Sequence, residues 1–104
     1  MTSSAIQLIV GLGNPGSEYQ ATRHNAGAWW VEALAKHLQL TFRVESRFQA
    51  LMTHFSVAGE KIFLLLPQTY MNRSGFSVST VAHYFRISAA NILIVHDELD
   101  LPCG

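Results

Sequence analysis

Ile6-Gln7-Leu8-Ile9-Val10-Gly11-Leu12-Gly13-Asn14-Pro15-Gly16 is the stretch that decides the fold. Ile6 to Val10 is a short apolar run that ends at glycine, and it reads as a buried strand. Gly11 to Gly16 must then be a tight loop, because glycine permits positive φ and Pro15 breaks regular structure. A buried strand running into a sharp loop is the opening move of an α/β sheet.

Working outward, Ser17 to His24 has no clear period and reads as loop. Ala26 to Leu38 reads as a helix: Trp30, Ala33, Leu34 and Leu38 fall at helical spacing, and either Thr22 or Asn25 can cap it. Two strands are expected near Gln49 to Val57 and Lys61 to Leu66, joined by a turn at Ala58-Gly59-Glu60 and closed by Pro67. Ser74 can cap a second helix running to about Arg86, with Val78, Val81, Ala82 and Phe85 on its inner face. Ile92 to Val95 is another apolar strand, leading into His96-Asp97-Glu98. The order β, α, β, β, α, β predicts an α/β fold, a mixed β-sheet flanked by helices in a single domain. The chain stops at Leu101-Pro102-Cys103-Gly104 without a closing helix, so residues 1–104 are expected to be an incomplete domain, truncated on the C-terminal side.

Composition narrows the class. Of the 104 residues, 49% are hydrophobic and 13% charged, which favours a packed core over disorder. No apolar run has the length of a membrane span, and Met1-Thr2-Ser3-Ser4 is not the start of a signal peptide. Cys103 is the sole cysteine, so no internal disulfide can form and a reducing, cytoplasmic setting is expected. The formal charge is zero, yet residues 1–96 hold seven Lys/Arg against four acids. That mild excess is by itself an ordinary solvated surface.

Chemistry has a natural place here. In open α/β sheets, ligands gather at the carboxyl ends of parallel strands. Asn14 follows the first strand, Asn72 the strand ending at Leu66, and Asp97 the strand ending at Val95, while His24 stands at the entrance of the first helix. A histidine with a carboxylate partner is a general base, since the carboxylate fixes its tautomer and stabilises the imidazolium. Asparagine amides can hold a peptide-like backbone or donate to a developing oxyanion. Together they suit activation of water against an ester or amide carbonyl. Each residue alone has a plainer reading: His24 as a cap, Asn14 as a turn residue, Asp97 as a solvated carboxylate, Tyr70 and Met71 as core. Their joint placement at one sheet edge is the argument for chemistry.

Rival motifs fit less well. Gly11-Leu-Gly13-Asn-Pro-Gly16 formally matches G-x-G-x-x-G, but Pro15 and a further loop delay the helix that must open on a pyrophosphate, and Glu32 lies inside a helix instead of closing a second strand. Asn72-Arg73-Ser74-Gly75 is not a G-x-S-x-G nucleophile turn. His96, Asp97, Glu98 and Asp100 crowd together without metal-ligand spacing.

Four motifs in order carry a specific resemblance: Leu8 to Gly16 with Tyr19, Thr22-Arg-His-Asn-Ala-Gly27, Thr69-Tyr-Met-Asn-Arg-Ser-Gly75, and His96-Asp-Glu-Leu-Asp100. In these the chain resembles bacterial peptidyl-tRNA hydrolases, over essentially its whole length. The resemblance implies hydrolysis of the ester joining a peptide to the 3′ ribose of tRNA. It implies His24 as the base that activates water and Asp97 as its orienting partner. Asn14 and Asn72 would bind the peptide main chain and support the tetrahedral intermediate, and Tyr19 and Met71 would line the substrate groove. No metal, organic cofactor or covalent intermediate is implied, and the partner would be peptidyl-tRNA, through its acceptor end and nascent peptide. A cytoplasmic monomer without membrane attachment is expected. Cys103 stands where the family has proline. The family's chain also continues into a glycine- and histidine-rich segment with a further active-site asparagine, a basic tRNA surface, a lid and a last helix. Residues 1–104 alone are therefore expected to be poorly stable and nearly inactive. The alternative from another class is an RNA-binding module of the same fold with the chemistry lost.

Overall fold

The structure is a computed structural model and describes residues 5–13, 26–68 and 74–96. Strand β1 (Leu8–Gly11) is followed by helix α1 (Ala26–His37), then β2 (Arg43–Glu45), β3 (Ala50–Val57), β4 (Glu60–Pro67), helix α2 (Ser74–Phe85) and β5 (Ile92–Val95). The strands form one sheet in the order β2-β3-β4-β1-β5. β1 lies parallel to β4 and β5, with Leu8 opposite both Phe63 and Ile92, while β2, β3 and β4 are antiparallel neighbours. The sheet is mixed, as the apolar runs and turn signals predict.

Parity along the strands sorts the core into two layers. Leu8, Val10, Ala50, Met52 and Leu65 meet Val81 of α2, with Ile87 beside them. Ile9, Leu64 and Leu66 meet Val31 and Ala35 of α1 on the opposite face. Side chains alternate across a strand, so a continuous apolar run can serve two helices at once. β3 and β4 are joined through Ala58 (φ 52°) and Gly59 (φ 83°), between the paired Val57 and Glu60. Two successive positive-φ residues match the right-handed twist of a hairpin.

Both helices stop in the same way. Leu40 N donates to Ala35 O and Gln39 N to Lys36 O; Ile87 N donates to Ala82 O and Arg86 N to His83 O. Gln39 (φ 59°) and Arg86 (φ 58°) take the left-handed conformation that this ending requires.

Several expectations need correction. β2 was not expected; its three residues, with Val44 75% exposed, lack an apolar pattern and exist by pairing with β3. The inner face of α1 is Gly27, Val31 and Ala35, whereas Trp30 is 48% exposed and Ala33 and Leu38 also face solvent. Small residues face inward here because α1 lies too close to the sheet for large ones. The inner face of α2 is the expected one: Val81 is buried, Val78 and Ala82 pack against the same core, and Phe85, though partly exposed, sets its ring 4.5 Å from that of Phe63. Ser74 is the first residue inside α2, and its buried hydroxyl has no hydrogen-bond partner among the described residues.

Candidate active site

The parallel strands β4, β1 and β5 bring their carboxyl ends to one edge of the sheet. The edge is tied together by main chain. Leu12 N, just past β1, donates to Val95 O at 2.9 Å, and Ala28 N, in the first turn of α1, donates to Leu12 O at 3.0 Å. Two glycines permit this approach. A Cβ on Gly11 would fall 2.7 Å from Val31 Cγ2 and 2.8 Å from Gly27 O. A Cβ on Gly27 would overlap the Val95 carbonyl oxygen and fall 2.8 Å from His96 Cα. Both values are well inside ordinary carbon contact. The start of α1 is thus seated directly on the ends of β1 and β5.

The β4 side of the edge is held by a second set of bonds. Gln68 N donates to Gln49 O at 2.8 Å, which extends the β3–β4 pairing past Pro67. Ser77, fully buried in α2, donates from Oγ to Phe48 O at 2.6 Å and fixes the helix against the entry of β3. β5 and β1 are registered from the other end, where Gln7 N donates to Asn91 O and Asn91 Nδ2 to Ala5 O.

All six nominated residues, Asn14, Tyr19, His24, Met71, Asn72 and Asp97, lie outside the described residues, as do the two expected caps of the first helix, Thr22 and Asn25. The described chain does give their points of attachment. Residues 14–25 connect Gly13 to α1, residues 69–73 connect Gln68 to α2, and Asp97 follows His96. Every one of these attachments is at the carboxyl edge of the parallel strands. Among the described residues, no group of three His, Cys, Asp or Glu side chains gathers to hold a metal ion, and no helix is long and apolar enough to cross a membrane. Sequence reasoning missed Gly27 as an anchor; the signal was a glycine in the first turn of a helix, where alanine is otherwise favoured.

Comparison with known proteins settles the lineage. The family model for peptidyl-tRNA hydrolase matches residues 8–104. The chain belongs to the peptidyl-tRNA hydrolase family. It is 53% identical over 104 residues to the peptidyl-tRNA hydrolase of Azoarcus sp. (strain BH72), covering 100% of this chain and 47% of that relative. The peptidyl-tRNA hydrolase of Acinetobacter baumannii superposes with a TM-score of 0.88 at 50% identity, over 97% of this chain and 52% of that one. A peptidyl-tRNA hydrolase solved in complex with N-propanol matches equally well, with a TM-score of 0.88 at 48% identity. The chain thus spans about half the length of the curated relative and of the solved structures it matches.

Proposed function

We propose that the whole protein hydrolyses the ester of peptidyl-tRNA, releasing peptide and free tRNA. The observation that carries this is the common sheet edge. The segments bearing His24, Asp97, Asn14 and Asn72 all depart from the carboxyl ends of β1, β4 and β5 or enter the helix seated on them. Family membership supports the choice of substrate.

In this reading His24 takes a proton from water, and the resulting hydroxide attacks the ester carbonyl. Asp97 orients the imidazole and stabilises its charged form. The amides of Asn14 and Asn72 hold the peptide main chain and donate to the oxyanion as it develops. The imidazolium returns its proton to the ribose 3′ oxygen as the C–O bond breaks. Tyr19 and Met71 line the groove for the peptide. An ester to a ribose hydroxyl has a better leaving group than an amide, so activated water suffices without a covalent enzyme intermediate, a metal or an organic cofactor. The protein acts as a cytoplasmic monomer.

The test is release of peptide from N-blocked aminoacyl-tRNA by the whole protein and by its His24→Ala variant. Loss of a general base lowers the rate by about 10²–10⁴-fold. Near-normal turnover by His24→Ala would overturn the assignment. Tight tRNA binding without any release by the unaltered protein would instead indicate a binding module that has lost its chemistry.

A further inference from the structure

Glycine inside a helix weakens it relative to alanine, because its chain has more freedom to lose. Both helices nevertheless carry one in the first turn, Gly27 in α1 and Gly75 in α2. Their surroundings differ. Among the described residues, nothing stands within 4 Å of a Cβ placed on Gly75. A Cβ on Gly27 would overlap the Val95 carbonyl oxygen and fall 2.7 Å from the Val95 carbonyl carbon and 2.8 Å from His96 Cα. These are main-chain atoms at the end of β5, so they cannot swing aside. Gly11 repeats the arrangement from β1, where a Cβ would fall 2.8 Å from Gly27 O and 2.7 Å from Val31 Cγ2. The first turn of α1 thus rests at contact distance on two neighbouring strands because neither glycine has a side chain.

That contact joins the chain just after the proposed base to the chain just before the proposed carboxylate. His24 precedes Gly27 by three residues, and Asp97 follows His96 directly. Consecutive Cα atoms are ~3.8 Å apart, so His24 is three such steps from Gly27 and Asp97 one step from His96. Main-chain hydrogen bonds reinforce the seat: Ala28 N donates to Leu12 O, and Leu12 N donates to Val95 O. A general base works only within hydrogen-bond reach of its partners. A misplacement of about 1 Å, caused by a mutation outside the chemistry, can cost about 10²-fold in rate.

We propose that Gly27 is a positioning residue for the ester hydrolysis: lacking a side chain, it lets the entrance of α1 close onto the end of β5 and so brings His24 to Asp97. Gly27 acts through that pair and has no side chain of its own to offer the substrate. The proposal rests on the reading of His24 as base and Asp97 as its partner. It adds that backbone packed against backbone sets the distance between them, from outside the reacting groups. Gly11 supports the same seat from β1.

The experiment is steady-state hydrolysis of peptidyl-tRNA by the whole protein, with kcat and KM read separately, at a temperature where circular dichroism shows each variant folded. Gly27→Ala should lower kcat by about 10–100-fold and leave KM nearly unchanged. Combined with Asp97→Asn, it should lose clearly less than the product of the two separate losses, because both act through one pair. A gentler variant covers the case in which Gly27→Ala does not fold. Val31→Ala removes the nearest atom that Gly11→Ala would strike, leaving Gly27 O at 2.8 Å and Val31 Cβ at 2.9 Å to press on the same turn. Gly11→Ala with Val31→Ala should have a kcat several-fold below that of Val31→Ala alone. Ile87→Ala is the control for stability: it opens the core beyond the end of α2 and should lower Tm with kcat and KM retained. Unchanged kcat in folded Gly27→Ala, or in the gentler variant relative to Val31→Ala, would overturn the proposal. So would losses that multiply in the combination with Asp97→Asn, a rise in KM in place of the fall in kcat, or an equal fall in kcat from Ile87→Ala. Near-normal turnover by His24→Ala removes the catalytic reading itself. An inactive His24→Ala beside a fully active Gly27→Ala removes only this inference.

Discussion

Gly27→Ala is the most demanding test of the structure. The added methyl would sit 2.7 Å from the Val95 carbonyl carbon and 2.8 Å from His96 Cα, with the Val95 oxygen closer still. All three are main-chain atoms of or beside β5, so no side chain can swing away. Relief requires α1 to lift from the sheet by roughly 1 Å, and a gap of that size forfeits up to about half of each attraction across it. Val31 and Ala35, the buried residues of α1, lie on the same face and feel the loss directly. Overpacking costs about 1–3 kcal/mol, and the helix preference for alanine returns less than about 1 kcal/mol. The net expectation is a loss of about 2 kcal/mol, which lowers Tm by roughly 8–16 °C in a domain of this size. Urea unfolding of the full chain measures it. Gly75→Ala is the matched control: it too lies in the first turn of a helix, but among the described residues nothing stands within 4 Å of its added methyl. That variant should equal or slightly exceed the parent. A Gly27→Ala chain as stable as the parent would refute the close seating of α1 on β5.

Ser77→Ala removes the buried bond to Phe48 O and leaves a carbonyl without its donor, so it should cost about 1–2 kcal/mol in the same urea assay. Gln39→Gly relieves a left-handed residue at the end of α1 and should raise stability by about 0.5–1 kcal/mol. In the whole protein, Asp97→Asn should lower kcat for peptidyl-tRNA by at least about tenfold while KM changes little, because the carboxylate supports the imidazolium and not ground-state binding. Steady-state kinetics of peptide release distinguish these two parameters.

The strands were readable because their signals are local. The runs at Ile6, broken only by Gln7, and at Ile92 are apolar, and the structure places both in the sheet, each shifted by at most two residues. The hairpin was readable from Gly59, whose positive φ the turn needs. The inner face of α1 was not, because periodicity ranks large apolar residues first. Gly27 faces inward for a reason that lies in β5, far along the sequence. β2 escaped notice because three residues without an apolar pattern carry no signal until a partner strand is present. For the site, the attachment points of Asn14, His24, Asn72 and Asp97 follow from strand ends alone, and those ends are where the sequence put them.

The position of β1 between β4 and β5 bears on how the chain is made. Among the described strands β1 leaves the ribosome first, yet its neighbours are β4 and β5, the third and fourth of those strands to follow it. Synthesis runs at about 5–20 residues per second. Leu8, Ile9 and Val10 must therefore wait several seconds for Phe63, Leu64 and Leu65, and longer for Ile92 to Ile94. The β3–β4 hairpin can close on its own in the meantime, because its partners are adjacent in sequence. A nascent chain interrupted before Ile92 would hold a preformed hairpin and an apolar first strand with one side unpaired, a species suited to recognition by chaperones.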